Sequence, residues 1–126
     1  MASDLAVYAK GSARPTGGAG SIAILIGPNA PLVFENIRST FMDNVYDFYK
    51  PVPYSEYPTV DGHLSINVYL NALDQCYNSL KMKYRQKHDW EPMFTNFDYF
   101  CFHTPFSKMV QKSFMNLIYH DVKRYD

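Results

Sequence analysis

Phe102-His103-Thr104-Pro105-Phe106-Ser107-Lys108-Met109-Val110-Gln111-Lys112 is the stretch that says most about fold and chemistry together. A histidine stands where the apolar run Tyr99 to Phe102 gives way to a helix-like pattern. Lys108 and Lys112 follow, four residues apart, so on a helix they share one face. An imidazole beside a positively charged ridge suits an anionic substrate with a reactive carbonyl. Tyr99-Phe100-Cys101-Phe102 reads as a buried strand. The residues after it predict a helix from about Ser107 to Val122, with Val110, Phe114, Leu117, Ile118 and Val122 as its apolar stripe.

Upstream, Ile66, Tyr69, Leu70, Leu73, Tyr77, Leu80 and Tyr84 recur at three- and four-residue steps. That spacing predicts a second amphipathic helix from about Ser65, ending near Lys83 to Lys87, with its last-turn cations complementing the helix dipole. Asp89 to Asp98 is a connector. Asn44 to Pro58 holds three prolines and reads as extended or irregular. Nearer the start, Leu5-Ala6-Val7-Tyr8-Ala9 predicts a strand, Ser21 to Ile26 a second and buried one, and Leu32 to Glu35 a third. Gly11 to Gly20 carries four of the six glycines and reads as loop. Strands followed by helix, strand and helix argue for an α/β fold.

With 126 residues the chain is long enough to build a core, and 47% hydrophobic against 19% charged residues describes a folded protein. Twelve basic residues balance twelve acidic ones, so bulk charge gives no reason to expect nucleic acid or an anionic membrane as partner. The longest strongly apolar run, Ile22 to Ile26, is too short to span a bilayer. Met1 to Leu5 has neither the basic nor the apolar region of a secretory signal. Cys76 and Cys101 therefore read as reduced thiols of a cytoplasmic chain, and as packing residues, since no adjacent base would lower a thiol pKa.

Several residues have two readings on type and spacing alone. His103 is a satisfied structural histidine or a functional one. Lys108 and Lys112 are a solvated helix face or an anion clamp aided by the positive end of their helix. The glycine cluster Pro15 to Gly20 lacks the lysine ending of a phosphate loop and precedes a strand, so a tight turn is the better reading. The four histidines have no metal-binding spacing, and no metal is expected.

The opening stretch closely resembles the H-[ST]-P-[YF]-x-K-[LM]-V-Q-K segment of the hydroxymethylglutaryl-CoA (HMG-CoA) synthase family. Further blocks resemble that family in family order: Ala6 to Ala9, Ala13 to Gly20, Leu25 to Pro31, Tyr46 to Pro51, Ser55 to Pro58 and Val60 to Gly62. The resemblance implies a thiolase-like fold, a layered αβαβα sandwich of which 1–126 would be a part: the end of the N-terminal half and the start of the C-terminal half. It implies condensation of acetyl-CoA with acetoacetyl-CoA to HMG-CoA, in the mevalonate route to isoprenoids, by a homodimeric cytoplasmic enzyme. Coenzyme A thioesters are substrates there, and no cofactor is expected.

By position, His103 matches the family's active-site histidine, which helps hold acetoacetyl-CoA and polarise its oxygen. Lys108 and Lys112 match coenzyme-A-contacting lysines, Ser65 a further substrate-contacting position, and Asp47 an acidic residue near the site. The family's nucleophilic cysteine and acid/base glutamate belong upstream of Met1, so this segment is expected to be inactive alone. A rival expectation is a catalytically silent acyl-CoA-binding or dimerisation module.

Overall fold

The computed structural model describes residues 1–123. They form two units, one of residues 1–35 and 45–65, the other of 36–44 and 66 onward.

In the first unit, β1 (Ala2–Ala6) pairs antiparallel with β2 (Gly18–Ile22), Asp4 facing Gly20 at the centre of the ladder. The connection carries a single 3-10 turn over Arg14–Thr16. Thr16 donates twice to the Ala13 carbonyl, from its N–H at 2.9 Å and its Oγ1 at 2.6 Å. A Cβ on Gly17 would lie 3.1 Å from the Ala6 carbonyl oxygen, so that close approach favours glycine. The tight-turn reading holds for the first part of this cluster, up to Gly17, and the strand begins within it at Gly18. Two short strands, β3 (Phe48–Tyr49) and β4 (Thr59–Val60), pair antiparallel. They are tied to the hairpin loop by the Val60 N–H, which donates to Ser12 Oγ at 3.1 Å, and by the Tyr8 and Phe48 rings.

The strand expectations need correction here. β1 lies nearer the N-terminus than Leu5–Ala9, and β2 begins inside the glycine cluster and stops at Ile22. Backbone pairing selects these positions, since β2 can extend only as far as β1 offers a partner. Ile24, Leu25 and Ile26 are exposed instead of buried, Leu25 almost completely at 96%. Leu32 to Glu35 is irregular, with Val33 and Phe34 equally open to water.

Asp61 opens the long helix α1 (Gly62–His88), three residues earlier than the apolar spacing alone indicates. Its carbonyl accepts the Ser65 N–H at 2.9 Å and its Oδ1 accepts the Leu64 N–H at 3.0 Å, the geometry of an N-cap. Arg85, Lys87 and His88 close the helix, as expected for its C-terminal dipole.

In the second unit, α2 (Ser107–Val122) matches its expected span, but its buried face shares only Leu117 with the expected stripe. Met109, Ser113, Leu117 and Asp121 are buried, an unbroken i, i+4 line, while Phe114 and Val122 are exposed. Polar groups sit on this face because each is satisfied: Ser113 donates to the Met109 carbonyl at 2.8 Å. Asp121 accepts from Lys81 Nζ, from the Tyr77 hydroxyl at 2.8 Å and from the Phe94 N–H at 2.6 Å. Lys81 also lies over the Tyr77 ring, 4.6 Å from its centroid. Tyr99–Phe102 is not a strand and is only partly covered. Its rings pack on one another and on α2, with Phe100 stacked on Phe102 and edge-on to Phe114.

Burial alone would raise the Asp121 pKa, but hydrogen bonds from Lys81, Phe94 and Tyr77 outweigh it and hold the carboxyl below its ordinary value. Burial, then the bond to Asp121 and its charge, push the Tyr77 hydroxyl well above the ordinary tyrosine value. The signs follow by linkage. Asp121 contributes stability above the unfolded aspartate value of about 3.9, lost as pH falls through the lower folded value. Tyr77 contributes below about 10, and that contribution is lost only as pH rises through its raised value. Asp121→Asn strands a buried ammonium and should cost about 3 kcal/mol or more. Faster amide exchange along α2 is the expected readout, and unchanged exchange would contradict it. A dilute preparation of the 126-residue chain should melt broadly and self-associate through its open strand edges and apolar runs. A sharp cooperative melt of a monomer would contradict that.

Candidate functional site

Extended backbone at Phe106, with φ −163° and ψ 156°, breaks the chain direction just before α2. Helical bonding then starts with the Met109 N–H donating to the Phe106 carbonyl at 3.0 Å. Pro105 before it holds Thr104 away from helical geometry. Lys108 and Lys112 therefore project from the first turns of α2, where the backbone N–H groups leave a partial positive charge. No acidic residue occupies that first turn and no side chain caps it. Two cations at the positive end of a helix oppose its dipole, an arrangement that costs stability and favours a bound anion.

Both lysines line one open groove of about 610 Å³, walled by Leu70 of α1 and by Gln111, Met115, Asn116 and Tyr119 of α2. Its far end is fixed by Asp74, whose Oδ1 accepts from Asn116 Nδ2 and lies 3.0 Å from His120 Nε2. The groove thus offers cations at one end, amide groups along it and an apolar floor. Such a surface can take an elongated anion with an apolar stem.

His103 is exposed on the segment leading into α2. Its carbonyl accepts the Tyr69 hydroxyl proton at 2.7 Å, and the two rings lie 6.2 Å apart, tilted by 40°. Among the described residues nothing hydrogen-bonds its imidazole, so the ring is free to meet a ligand. Thr104 Oγ1 donates to the Phe102 carbonyl at 3.0 Å and tightens the same segment.

The second unit brings together Lys108 and Lys112 in one groove and ties His103 to α1. Ser65 and Asp47 belong to the first unit. Ser65 is half-buried in the first turn of α1, its N–H bonded to Asp61. Asp47 is half-buried beside β3, and its carbonyl accepts the Asp61 N–H at 2.8 Å. Asp61 therefore joins the segments that carry both residues, a role the sequence reading did not give it; its signal was an aspartate three residues before Leu64 at a helix start. Cys101 is exposed, which corrects its reading as a packing residue. It lines an apolar hollow together with half-buried Cys76. Among the described residues no cluster of three or more metal-ligating side chains occurs, and no helix is long and apolar enough to cross a membrane.

Comparison with known proteins places this geometry in a family. Residues 32–126 match the family described as hydroxymethylglutaryl-coenzyme A synthase C terminal, and residues 1–31 match its N-terminal counterpart. The chain is 56% identical over 120 residues to hydroxymethylglutaryl-CoA synthase B of Dictyostelium discoideum, covering 94% of this chain and 26% of that protein. It is 55% identical over 126 residues to the human mitochondrial synthase and 51% over 127 residues to the mouse cytoplasmic one. These cover 94% and 96% of this chain, and 24% of each relative. Among solved structures, an HMG-CoA synthase complexed with CoA superposes with a TM-score of 0.71 at 31% identity, over 91% of this chain and 28% of that one. MvaS in complex with 3-hydroxy-3-methylglutaryl coenzyme A gives 0.72 at 30%, over 91% and 29%. The chain spans about a quarter of the length of the curated relatives it matches.

The cationic groove should make ligand binding sensitive to salt. Raising ionic strength from about 0.01 M to 1 M shortens the screening length from roughly 30 Å to 3 Å, so any anion held by Lys108 and Lys112 should bind several-fold more weakly. Salt-independent binding would contradict the clamp. With both family models matched along the chain and part of the synthases' thiolase-like α/β fold reproduced, this chain belongs to the HMG-CoA synthase family.

Proposed function

We propose that this segment forms the acetoacetyl-CoA side of an HMG-CoA synthase active site. The observation that carries the proposal is the groove in which Lys108 and Lys112 stand at the positive end of α2, directly after the segment bearing His103. In this reading the two ammonium groups and the helix end hold the phosphates of coenzyme A. The apolar floor accommodates its stem. His103 donates to the ketone oxygen of the acetoacetyl group, where negative charge develops as the acetyl carbanion equivalent attacks.

Ser65 and Asp47 belong to the same proposal as a substrate-contacting hydroxyl and a nearby carboxylate. The acetyl group would be carried on a cysteine thiolate and its methyl proton handled by a glutamate, both from parts of the synthase outside this segment. The segment alone should therefore not turn over. Homodimerisation and a cytoplasmic place in mevalonate synthesis stay within the proposal, since the relatives include mitochondrial as well as cytoplasmic synthases.

The test uses a full-length synthase in which this segment replaces the aligned quarter of Dictyostelium discoideum synthase B. His103→Ala should cut condensation by about a hundredfold or more, the usual loss for one donor to a developing oxyanion. Acetylation of the nucleophile should be nearly unchanged. Equal loss of both steps would contradict the division of roles. Lys108→Ala with Lys112→Ala should raise the KM for acetoacetyl-CoA by about tenfold or more, as expected for charge-assisted bonds to an anion. An unchanged KM would contradict the phosphate clamp.

A further inference from the structure

Periodicity places Tyr69 among the apolar residues of α1, yet its hydroxyl is not spent on packing. It donates to the main-chain carbonyl of His103 at 2.7 Å, across a sequence separation of 34 residues. The ring stays beside the imidazole, centroids 6.2 Å apart and tilted by 40°. The next residue on α1, Leu70, is a wall of the groove that holds Lys108 and Lys112. One turn of α1 therefore touches both the histidine segment and the lysine groove.

Beyond the packing of Phe100 and Phe102, the segment it grips has little else to fix it. Tyr99–Phe102 has no strand partner among the described residues, His103 to Phe106 is exposed, and α2 begins without a side-chain cap. Within that stretch Thr104 bonds only to a neighbouring carbonyl, two residues back. The Tyr69 hydroxyl is the bond that ties the backbone of His103 itself to a long, regular helix.

We propose that Tyr69 is a positioning residue for His103. The hydroxyl fixes the main chain from which the imidazole projects, and the aromatic face limits the volume the imidazole can sweep. Together they set the imidazole's position relative to the lysine groove on the same helix turn. The inference rests on the function proposed above for His103, and it adds a residue that the family resemblance did not supply.

The test measures the two half-reactions separately in the full-length synthase carrying this segment. Tyr69→Phe keeps the ring and removes one exposed hydrogen bond, so condensation should fall between about three- and tenfold. Acetylation of the nucleophile should stay as in the parent. Tyr69→Ala removes the aromatic face as well and should lower condensation further, again with acetylation retained. His103→Ala with Tyr69→Phe should be no slower than His103→Ala alone, because a positioning residue has nothing left to position.

Unchanged condensation in Tyr69→Phe would overturn the inference while leaving the role of His103 standing. A parallel fall in both half-reactions would overturn it too, because that pattern marks general structural damage. An additive loss in the double variant would show that Tyr69 acts independently of His103 and would also overturn it. If His103→Ala condenses normally, the underlying reading fails, whatever Tyr69→Phe does.

Discussion

The buried carboxylate of Asp121 is the contact on which the second unit depends. It draws in the Lys81 ammonium and the Tyr77 hydroxyl from α1 and the Phe94 main-chain N–H from the connector. One group therefore binds α1 and the connector to α2 through three donors, and its own burial is tolerated only because all three are present. With Asp121 near the end of α2, and Asp74 reaching Asn116 and His120 on the same helix, the C-terminal half of α2 is held to α1 by polar bonds. The groove runs along the same helix, with Lys108 and Lys112 toward its N-terminal end.

Much of this was legible in the sequence. The long helix and the final helix follow from apolar spacing, and the final one matches to the residue. The shared helix face of Lys108 and Lys112 is also read from their spacing, and both side chains line one groove. What spacing could not supply is the rotation of α2. Counting apolar residues selects Val110, Phe114, Leu117, Ile118 and Val122, whereas the buried line is Met109, Ser113, Leu117 and Asp121, with Leu117 alone in both. Hydropathy counts a serine and an aspartate as surface residues. Their burial depends on donors and acceptors that arrive from distant positions, which no local window contains.

The strands were the least legible part, for a related reason. An apolar run states a preference for burial but not where a partner lies. Ile24 to Ile26 and Leu32 to Phe34 have strand-like composition, yet they gain no ladder and stay open to water. Each such side chain forgoes about 1.5–3 kcal/mol of burial, so these runs are the costly surface of the first unit. Gly18 and Gly20 show the opposite case, poor strand formers held extended because β1 pairs with them. Likewise Tyr69 reads as one more apolar position until the carbonyl it bonds is known.

In the proposed function one groove and one imidazole divide the work on a single thioester. A crystal structure of the full-length synthase carrying this segment, with acetoacetyl-CoA bound, tests it most directly. Coenzyme A phosphates are expected within charge-assisted bonding distance of Lys108 and Lys112, with a His103 ring nitrogen within hydrogen-bond reach of the ketone oxygen. Phosphates seated away from α2, or a ketone oxygen held by other donors, would contradict it.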